Sequence, residues 1–372
     1  MGVEDGLEGV VAGSTSICSI DNDVLTFRGI DIHELAENAL YAEVVYLLFW
    51  GSLPNESKLK NFSGELIKHA KLNSEVWDLL KRFPTKSSPM EWLRTAVSAL
   101  SFYDPDSMEN SPEANLRKSI KLVGQMSTLV AGFHRLRMGQ KLIEPERDQS
   151  LAWNFLYMLH GKKPEELFVK VFDTCLVLHA DHELNASTFA ARVTAATLSD
   201  MYSAITSAIG TLKGPLHGGA NEQVMIMLEK ISDPSQAKKF IESALQNKER
   251  IMGFGHRVYK NGDPRASHLK RFSELLGKKT GNLKWYEIST IVDEVVRQQK
   301  KLLPNVDFYS ASTYHYLGIP TDLFTPVFAC SRIAGWCAHV MEQLSHNRLI
   351  RPRAEYLGPR NQHYVPLDQR SL

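Results

Sequence analysis

The sequence predicts a mainly α-helical protein of two domains, with one small β-hairpin near the N-terminus. Apolar residues recur at helical spacing along most of the chain, whereas alternating strand patterns are sparse. The strand–helix alternation of a doubly wound sheet is missing. With 372 residues the chain is long enough for two domains. We place residues 1–212 and 322–372 in a large helical domain and residues 213–321 in a small one.

The first predicted element is the hairpin. Residues 15–20 and 24–28 contain several β-branched residues and lie on either side of a polar segment, Asp21-Asn22-Asp23. Short β-branched runs around a polar turn are typical of two paired strands. The sequence therefore predicts one small hairpin and no larger sheet.

Helices are predicted for most of the remaining chain. Apolar residues at i, i+4, i+7 and i+8 from Leu40 indicate one helix, which Gly51 and Pro54 end. Similar apolar spacing occurs in residues 224–231 and 288–296. These three segments carry the periodicity of helices with one buried face.

The clearest predicted helix lies near the C-terminus. Thr325 can cap it, and Pro326 suits its first turn. Arg332 lies off the apolar stripe of this helix, on the same face as Trp336 and His339. The stripe itself consists of Cys330, Ile333, Ala334, Cys337, Val340, Met341 and Leu344.

Composition and charge argue against several classes of protein. Hydrophobic residues at 43% and charged residues at 23% are ordinary for a globular protein. A formal net charge of +1 indicates neither nucleic acid nor a membrane surface as a partner. The chain has no run of about 18 apolar residues and no apolar signal segment at its start. We predict a cytoplasmic protein whose four cysteines, which form no CxxC pair, include buried Cys330 and Cys337.

A Gly- and Pro-rich turn carries the first candidate catalytic residue. His217 lies in residues 213–219 (KGPLHGG), just before a helix predicted to begin near Ala220. A helix N-terminus disfavours positive charge, so an imidazole there tends to stay neutral and can donate a hydrogen bond to a carbonyl. The alternative is a histidine that only caps its turn.

A second glycine-rich turn places His256 in a basic stretch. Between residues 248 and 271 there are seven Lys or Arg residues, including Arg257, Lys260 and Arg265, and two acidic residues. Basic side chains beside a glycine-rich turn suit a phosphorylated ligand. A solvated charged surface would give the same pattern.

Asp307 is the candidate general base. Its neighbours Val306, Phe308 and Tyr309 are apolar or aromatic. If they exclude water from the carboxyl group, they raise its pKa and make the carboxylate a stronger base. Asp is also a good N-cap, and the sequence leaves both interpretations open.

A metal-dependent hydrolase is the alternative from another class of enzyme. His179, His182 and Glu183 could share one face of a helix and together hold a metal ion. The spacing is not HExxH, however, and no fourth ligand is evident.

Arginines offer a different kind of site, because the guanidinium group matches a carboxylate. Arg332 and Arg351 would indicate a dicarboxylic substrate if they converge on one pocket.

The motifs together resemble those of the citrate synthases, in their order and approximate spacing. Six separated motifs make the resemblance specific, and it covers the chain from the hairpin to Pro359. The segments are HADHELNAST (179–188), GPLHGGANE (214–222), GFGHRVYKNGDPR (253–265), NVDFYSA (305–311), SRIAGWCAHVMEQ (331–343) and NRLIRPRAEYLGP (347–359).

The resemblance implies an almost wholly helical two-domain fold and a condensation of acetyl-CoA with oxaloacetate, followed by hydrolysis of citryl-CoA. His217 would polarise the thioester carbonyl, and Asp307 would remove a methyl proton. His256 would protonate the ketone of oxaloacetate. No metal or other cofactor is expected, because the CoA thioester is itself a substrate.

The resemblance also implies how the substrates are held. The carboxylates of oxaloacetate would contact His182, Arg265 and Arg332. A homodimer is expected, in which Arg351 reaches the active site of the partner subunit.

Coenzyme A and the choice of acyl group are predicted less specifically. Arg257 and Lys260 would lie near the phosphates of coenzyme A. The same catalytic residues serve 2-methylcitrate synthases, which use propionyl-CoA. One methylene contributes only about 1–3 kcal/mol in a pocket, so these motifs leave this alternative open.

Overall fold

The fold is mainly helical, as predicted. The computed structural model describes residues 5–7 and 9–370, so residues 1–4, where the sequence predicts no signal segment, lie outside the described residues. The helices are α1 (Ile32–Asn38), α2 (Tyr41–Trp50), α3 (Glu56–Ala70), α4 (Ser74–Leu80), α5 (Pro89–Leu100), α6 (Pro112–Arg137), α7 (Leu151–His160), α8 (Glu166–His179), α9 (Ala186–Ala196), α10 (Met201–Leu212), α11 (Ala220–Glu229), α12 (Pro234–Gln246), α13 (Arg265–Thr280), α14 (Lys284–Lys300), α15 (Val306–Tyr316) and α16 (Phe324–Ser345).

The predicted hairpin is present and is joined by a third short strand. Strands β1 (Cys18–Asp21) and β2 (Val24–Phe27) pair antiparallel, and Asp21 lies opposite Val24. The connecting turn is therefore only two residues long, Asn22 and Asp23, rather than the predicted three. Strand β3 (Ile30–Asp31) pairs with β2 and was not predicted. Two residues are too few to show a strand periodicity.

The predicted apolar stripes lie in helices. The segment from Leu40 forms α2, and Gly51 ends it in the left-handed conformation with φ of 81°. The N–H of Gly51 donates to the Leu47 carbonyl at 2.8 Å. Glycine adopts this conformation without steric cost, which is why it ends the helix at this position. The stripes in residues 224–231 and 288–296 lie mostly within α11 and α14.

The C-terminal helix differs from the prediction at its start and in its burial. It begins at Phe324, and Thr325 is inside it rather than capping it. The Thr325 hydroxyl instead donates to the Gly218 carbonyl at 3.2 Å. Arg332, Trp336 and His339, which lie off the predicted apolar stripe, are all buried as well. Helix α16 packs against α2, α6, α8, α9 and α10, so it forms the centre of the core.

The four cysteines are free and buried, as expected for core residues. Within residues 5–7 and 9–370, no helix has the length and apolar character needed to cross a membrane.

Candidate active site

His217 lies in the turn between α10 and α11, and α11 begins at the predicted Ala220. Glycine is required at position 218, because a Cβ there would lie 2.5 Å from the Leu212 side chain. The N–H of Gly218 donates to the Leu212 carbonyl at 3.0 Å. Together with the bond from Thr325, this contact ties the turn to both α10 and α16.

Ser187 determines which nitrogen of His217 carries the proton. The backbone N–H of Ser187 lies 3.3 Å from His217 Nε2, and a backbone N–H can only donate. Nε2 therefore accepts, and the neutral ring carries its proton on Nδ1. The Ser187 hydroxyl lies 2.8 Å from the same Nε2 and accepts a hydrogen bond from Trp336 Nε1–H at 3.1 Å. Among the described residues this arrangement leaves Nδ1–H of His217 without an acceptor, so it can donate to a ligand.

Burial, rather than the helix N-terminus alone, keeps His217 neutral. Removal from water, and then the charge of Arg332, lower the pKa of His217 to about 4. The ring is therefore uncharged at pH 7. The sequence predicted the correct protonation state, but the main physical cause is desolvation.

His256 has the opposite tautomer. The backbone N–H groups of Val258 and Tyr259 lie 3.0 and 3.4 Å from His256 Nδ1 and donate to it. The neutral ring therefore carries its proton on Nε2. Burial and the charge of Arg265 lower the pKa of His256 to about 4. His256 is thus a second neutral hydrogen-bond donor.

The loop that carries His256 requires glycine where it approaches α15. Gly253 has φ of +83°, and a Cβ there would lie 2.8 Å from Val224 and 2.9 Å from Phe308. Both the backbone conformation and the close packing exclude a larger residue.

His182 lies beside His256. Their ring centroids are 5.1 Å apart, and His182 Nε2 is 2.9 Å from the Tyr259 hydroxyl. Burial, with the charge of Arg265, lowers the pKa of His182 well below its ordinary value. Three neutral imidazoles, from the segments around residues 182, 217 and 256, therefore belong to one buried region.

Asp307 is not the N-cap of α15. Asn305 has that position, and its Oδ1 accepts from the Asp307 N–H at 3.0 Å. Oδ1 of Asp307 is buried without a hydrogen-bond partner in the described part of the chain. Burial raises the pKa of Asp307 to about 7, against the opposing charge of Arg265. Desolvation without donors makes this carboxylate an unusually strong base.

Arg265 is buried at the start of α13 and is oriented by Asp263. Its Nε and Nη2 donate to the two carboxylate oxygens of Asp263 at 2.9 and 2.8 Å. Burial alone would lower the pKa of Arg265, but the Asp263 carboxylate raises it above its ordinary value. Asp263 also accepts from the Val306 N–H at 3.0 Å, which links this pair to the start of α15.

Arg332 is buried without a carboxylate partner among the described residues. Its Nε donates to the His179 carbonyl at 2.8 Å, and its guanidinium lies 4.8 Å from the centre of the Phe328 ring. Burial lowers its pKa to about 10, and Asp181 opposes that effect only in part. A buried cation with this environment is suited to bind an anion.

Three predicted ligand-binding residues lie outside this buried region. Arg257 and Lys260 are exposed on the loop that carries His256. Arg351 is exposed in the extended segment after α16 and makes no side-chain hydrogen bond within the described residues. A single chain therefore does not bring Arg351 to the other arginines.

The proposed metal-ligand face does not form. Helix α8 ends at His179, so His182 and Glu183 are in the following turn and do not share a helix face with it. His179 Nδ1 lies 2.8 Å from the Cys175 carbonyl, and His182 Nε2 lies near Tyr259. In residues 5–7 and 9–370, no group of three or more His, Cys, Asp or Glu side chains is arranged to hold a metal ion. The shared-face interpretation was wrong because the helix ends too early.

Three residues of the site were not singled out by the sequence. Ser187 orients His217, Tyr259 contacts His182, and Asp263 holds Arg265. Each lies inside a recognised motif segment, but its side-chain partner is visible only in the fold. The site thus combines two neutral donors, an unpaired carboxyl group and two buried arginines, a set able to remove a proton next to a carbonyl and to bind a dianion.

Comparison with known proteins identifies the family of these motifs. Residues 6–353 match the family model described as citrate synthase, C-terminal domain. Citrate synthase 2 of Bacillus subtilis is 53% identical over 98% of this chain and 99% of its own. A 2-methylcitrate synthase of Shewanella oneidensis is 41% identical over 98% of this chain and 97% of its own. The citrate synthase of Thermoplasma acidophilum, solved as a ternary complex with carboxymethyl coenzyme A and oxaloacetate, superposes with a TM-score of 0.93 at 35% identity, covering 99% of this chain and 100% of that one.

Proposed function

The chain belongs to the citrate synthase family, and from this premise we propose which of its residues carry out the reaction. The activity is that of an acyltransferase that condenses acetyl-CoA with oxaloacetate and hydrolyses citryl-CoA to citrate and CoA. One observation supports the residue assignments above all. Arg332 is a buried cation without a carboxylate partner among the described residues, and its charge acts on the unpaired carboxyl group of Asp307.

Oxaloacetate is proposed to bind between Arg332, Arg265 and His182. Nη1 of Arg265 and both Nη atoms of Arg332 make no hydrogen bond within the described residues, so they are available to carboxylate oxygens. A bound dianion would give the buried charge of Arg332 the partner that it lacks. His182 would contribute a further hydrogen bond to the same substrate.

Removal of the methyl proton is proposed to need His217 and Asp307 together. A carboxylate in water is far too weak a base for a thioester methyl group. Burial of Asp307 raises its pKa to about 7, which brings it closer to the pKa of the methyl group and makes the proton transfer less unfavourable. Nδ1–H of His217 would donate to the thioester oxygen and stabilise negative charge as it develops there.

His256 is proposed to complete the carbon–carbon bond formation. As the nucleophilic carbon attacks the ketone of oxaloacetate, negative charge develops on the ketone oxygen. Nε2–H of His256 can donate to this oxygen and transfer its proton. Water then cleaves the thioester of citryl-CoA, and the only coenzyme in this scheme is the CoA of the substrate.

Arg257 and Lys260 are proposed to contact the phosphates of coenzyme A. Both side chains are exposed on the loop that also carries His256, which is where a large ligand can reach them. Phosphate binding at such a surface depends on charge and is weakened by salt.

The division into a large and a small domain stays a proposal with the same boundaries. Helices α11 to α15, within residues 213–321, pack largely on one another, whereas α16 packs on α2, α6, α8, α9 and α10. The proposed catalytic residues His217, His256 and Asp307 lie in the smaller unit, and His182 and Arg332 lie in the larger one. A cytoplasmic location also stays a prediction.

A homodimer is proposed, with Arg351 of each subunit completing the site of the other. Arg351 is exposed on an extended segment and makes no side-chain hydrogen bond within the described chain. Exchange of such a segment between identical subunits is an isologous contact, which closes a dimer.

Mixing two inactive variants tests this arrangement. Arg351→Ala and His217→Ala would each be nearly inactive alone. After subunit exchange, about half of the dimers are mixed, and one of their two sites contains both native residues, so about a quarter of wild-type activity returns. If each subunit uses its own Arg351, no activity returns, and a monomeric mass in sedimentation equilibrium would also contradict the proposal.

The choice of acyl group is tested by the release of CoA thiol. Purified protein is supplied with oxaloacetate and either acetyl-CoA or propionyl-CoA. We expect kcat/KM to be about tenfold or more higher for acetyl-CoA, the effect of one methylene in a fitted pocket. A preference for propionyl-CoA would make the protein a 2-methylcitrate synthase with the same catalytic residues. Folded dimer without activity toward either thioester would contradict the function.

A further inference from the structure

The hairpin turn carries a carboxylate that binds the loop of His256, which we define as residues 253–263. Asp23 Oδ1 accepts from the Lys260 N–H at 2.7 Å. Asp23 Oδ2 accepts from the backbone N–H of Asn261 at 3.1 Å and from its side-chain Nδ2 at 2.6 Å. Three donors from two adjacent loop residues thus converge on one carboxylate. The bonds join residues 237 and 238 positions apart, across the proposed domain boundary.

The conformation of the turn indicates that the Asp23 side chain is needed. Asn22 and Asp23 have φ of 50° and 64°, the left-handed region used by two-residue hairpin turns. Glycine is the favoured second residue of such turns, because a Cβ is strained there. Asp23 is therefore less favourable than glycine for the turn itself, but only Asp23 supplies the carboxylate that binds the loop. The Lys260 N–H lowers the pKa of Asp23, so the carboxylate stays charged at neutral pH.

The middle of the His256 loop makes its hydrogen bonds to residues of the proposed large domain, although the loop itself belongs to the proposed small domain. Its start is bound to residues 303–305, through Gly253 and Gly255, and its end is bound through Asp263. Residues 256–262 make their hydrogen bonds to the rest of the described chain only with Asp23 and with His182. The turn whose N–H groups set the tautomer of His256 ends at Tyr259, directly before the residues that Asp23 binds.

We propose that Asp23 is a positioning residue for the oxaloacetate site, because it holds the His256 loop against the N-terminal hairpin. Asp23 does not touch the reacting atoms. It acts by fixing residues 260–261, next to Tyr259, which contacts His182 and donates its N–H to His256. This inference rests on the proposed function for the substrate, but the contact between hairpin and loop can be tested without it.

Asp23→Gly is the decisive variant, because glycine suits the turn and removes only the carboxylate. We expect KM for oxaloacetate to rise about tenfold, as the loss of charge-assisted hydrogen bonds predicts, while kcat changes less. Amide hydrogen exchange in residues 257–261 should become faster by about the same factor, because the hydrogen bonds to Asp23 that oppose opening of the loop are gone. The thermal unfolding midpoint should stay close to that of the wild type.

Two further variants separate positioning from a general effect on the hairpin. Asp23→Asn keeps one acceptor oxygen and should give an intermediate KM. Asp21→Asn removes a charge from the same hairpin at an exposed residue without a side-chain hydrogen bond in the described chain, and it should leave KM and exchange unchanged.

Unchanged KM and unchanged exchange in Asp23→Gly would overturn the proposal, as would an equal effect of Asp21→Asn. A large fall in the unfolding midpoint of both Asp23 variants, with exchange faster throughout the protein, would assign Asp23 a structural role only. If the wild type releases no CoA thiol, the proposed function fails. The local exchange of residues 257–261 then still decides whether Asp23 holds the loop.

Discussion

Asp307→Asn should lower turnover by roughly 10²–10⁴-fold, the usual loss when a general base is removed. The variant keeps the size of the side chain and removes its negative charge. Because Oδ1 has no hydrogen-bond partner in the described chain, the substitution breaks no side-chain bond of that oxygen. KM for oxaloacetate should change little, since the interaction lost belongs to the transition state. The measurement is CoA thiol release at saturating substrates.

The pH dependence of the same group gives a second readout. In the wild type, kcat/KM should fall as pH drops below about 7, because the Asp307 carboxylate becomes protonated. A raised pKa means that the folded state binds this proton more tightly than the unfolded state does. The stability contributed by the protonated group is therefore present below about pH 4 and is lost as pH rises through about 7. Asp307→Asn should accordingly be more stable than the wild type at pH 8, with the difference shrinking toward pH 4.

Asp173→Asn is the matched control. Asp173 is also buried, burial raises its pKa to about 7, and it accepts from the Tyr41 N–H at 2.8 Å in the core. This variant should show the same gain in stability at pH 8 while keeping wild-type turnover. Equal losses of turnover in both variants would show that the effect on catalysis comes from the core, not from a base at Asp307.

His217→Ala should also lower turnover by roughly 10²–10⁴-fold, because it removes the donor that stabilises charge on the thioester oxygen. The turn should persist, since it is held by backbone bonds of Gly218 and by Thr325 rather than by the imidazole. Turnover is measured by thiol release, and folding is checked by circular dichroism and by the unfolding midpoint.

Two comparisons make this prediction specific. His160→Gln replaces another partly buried histidine, which contacts the Leu317 carbonyl at 3.0 Å outside the site, and should keep its activity. His217→Ala combined with Asp307→Asn should be little worse than either single variant, because groups that act in one step are not additive. If the loss of turnover in the double variant equals the product of the two single losses, His217 and Asp307 do not act together in one step.

Local patterns in the sequence were enough to predict the mainly helical fold class and the position of His217 in the turn before α11. The apolar stripe from Leu40 predicted α2 and its end at Gly51, because helical spacing and helix stops depend on neighbours within a few residues. The start of α11 at Ala220, three residues after His217, was predicted for the same reason. A two-residue strand such as β3 has no such pattern, and it was missed.

Only the tertiary structure decided the chemistry of the site. Whether Asp307 caps its helix or stands unpaired depended on Asn305. The burial of Arg332 could not be read from its position off the apolar stripe of α16. The contact of Ser187 with His217 joins residues 30 positions apart, and that of Asp23 with Lys260 joins residues 237 positions apart. Protonation states follow from burial and from the nearest charges, and both are set by long-range packing. The sequence by itself determined which residue types are present and where the helices run. The packing of those helices determined which side chains lose their water, and therefore which can act as donor, base or anion-binding group.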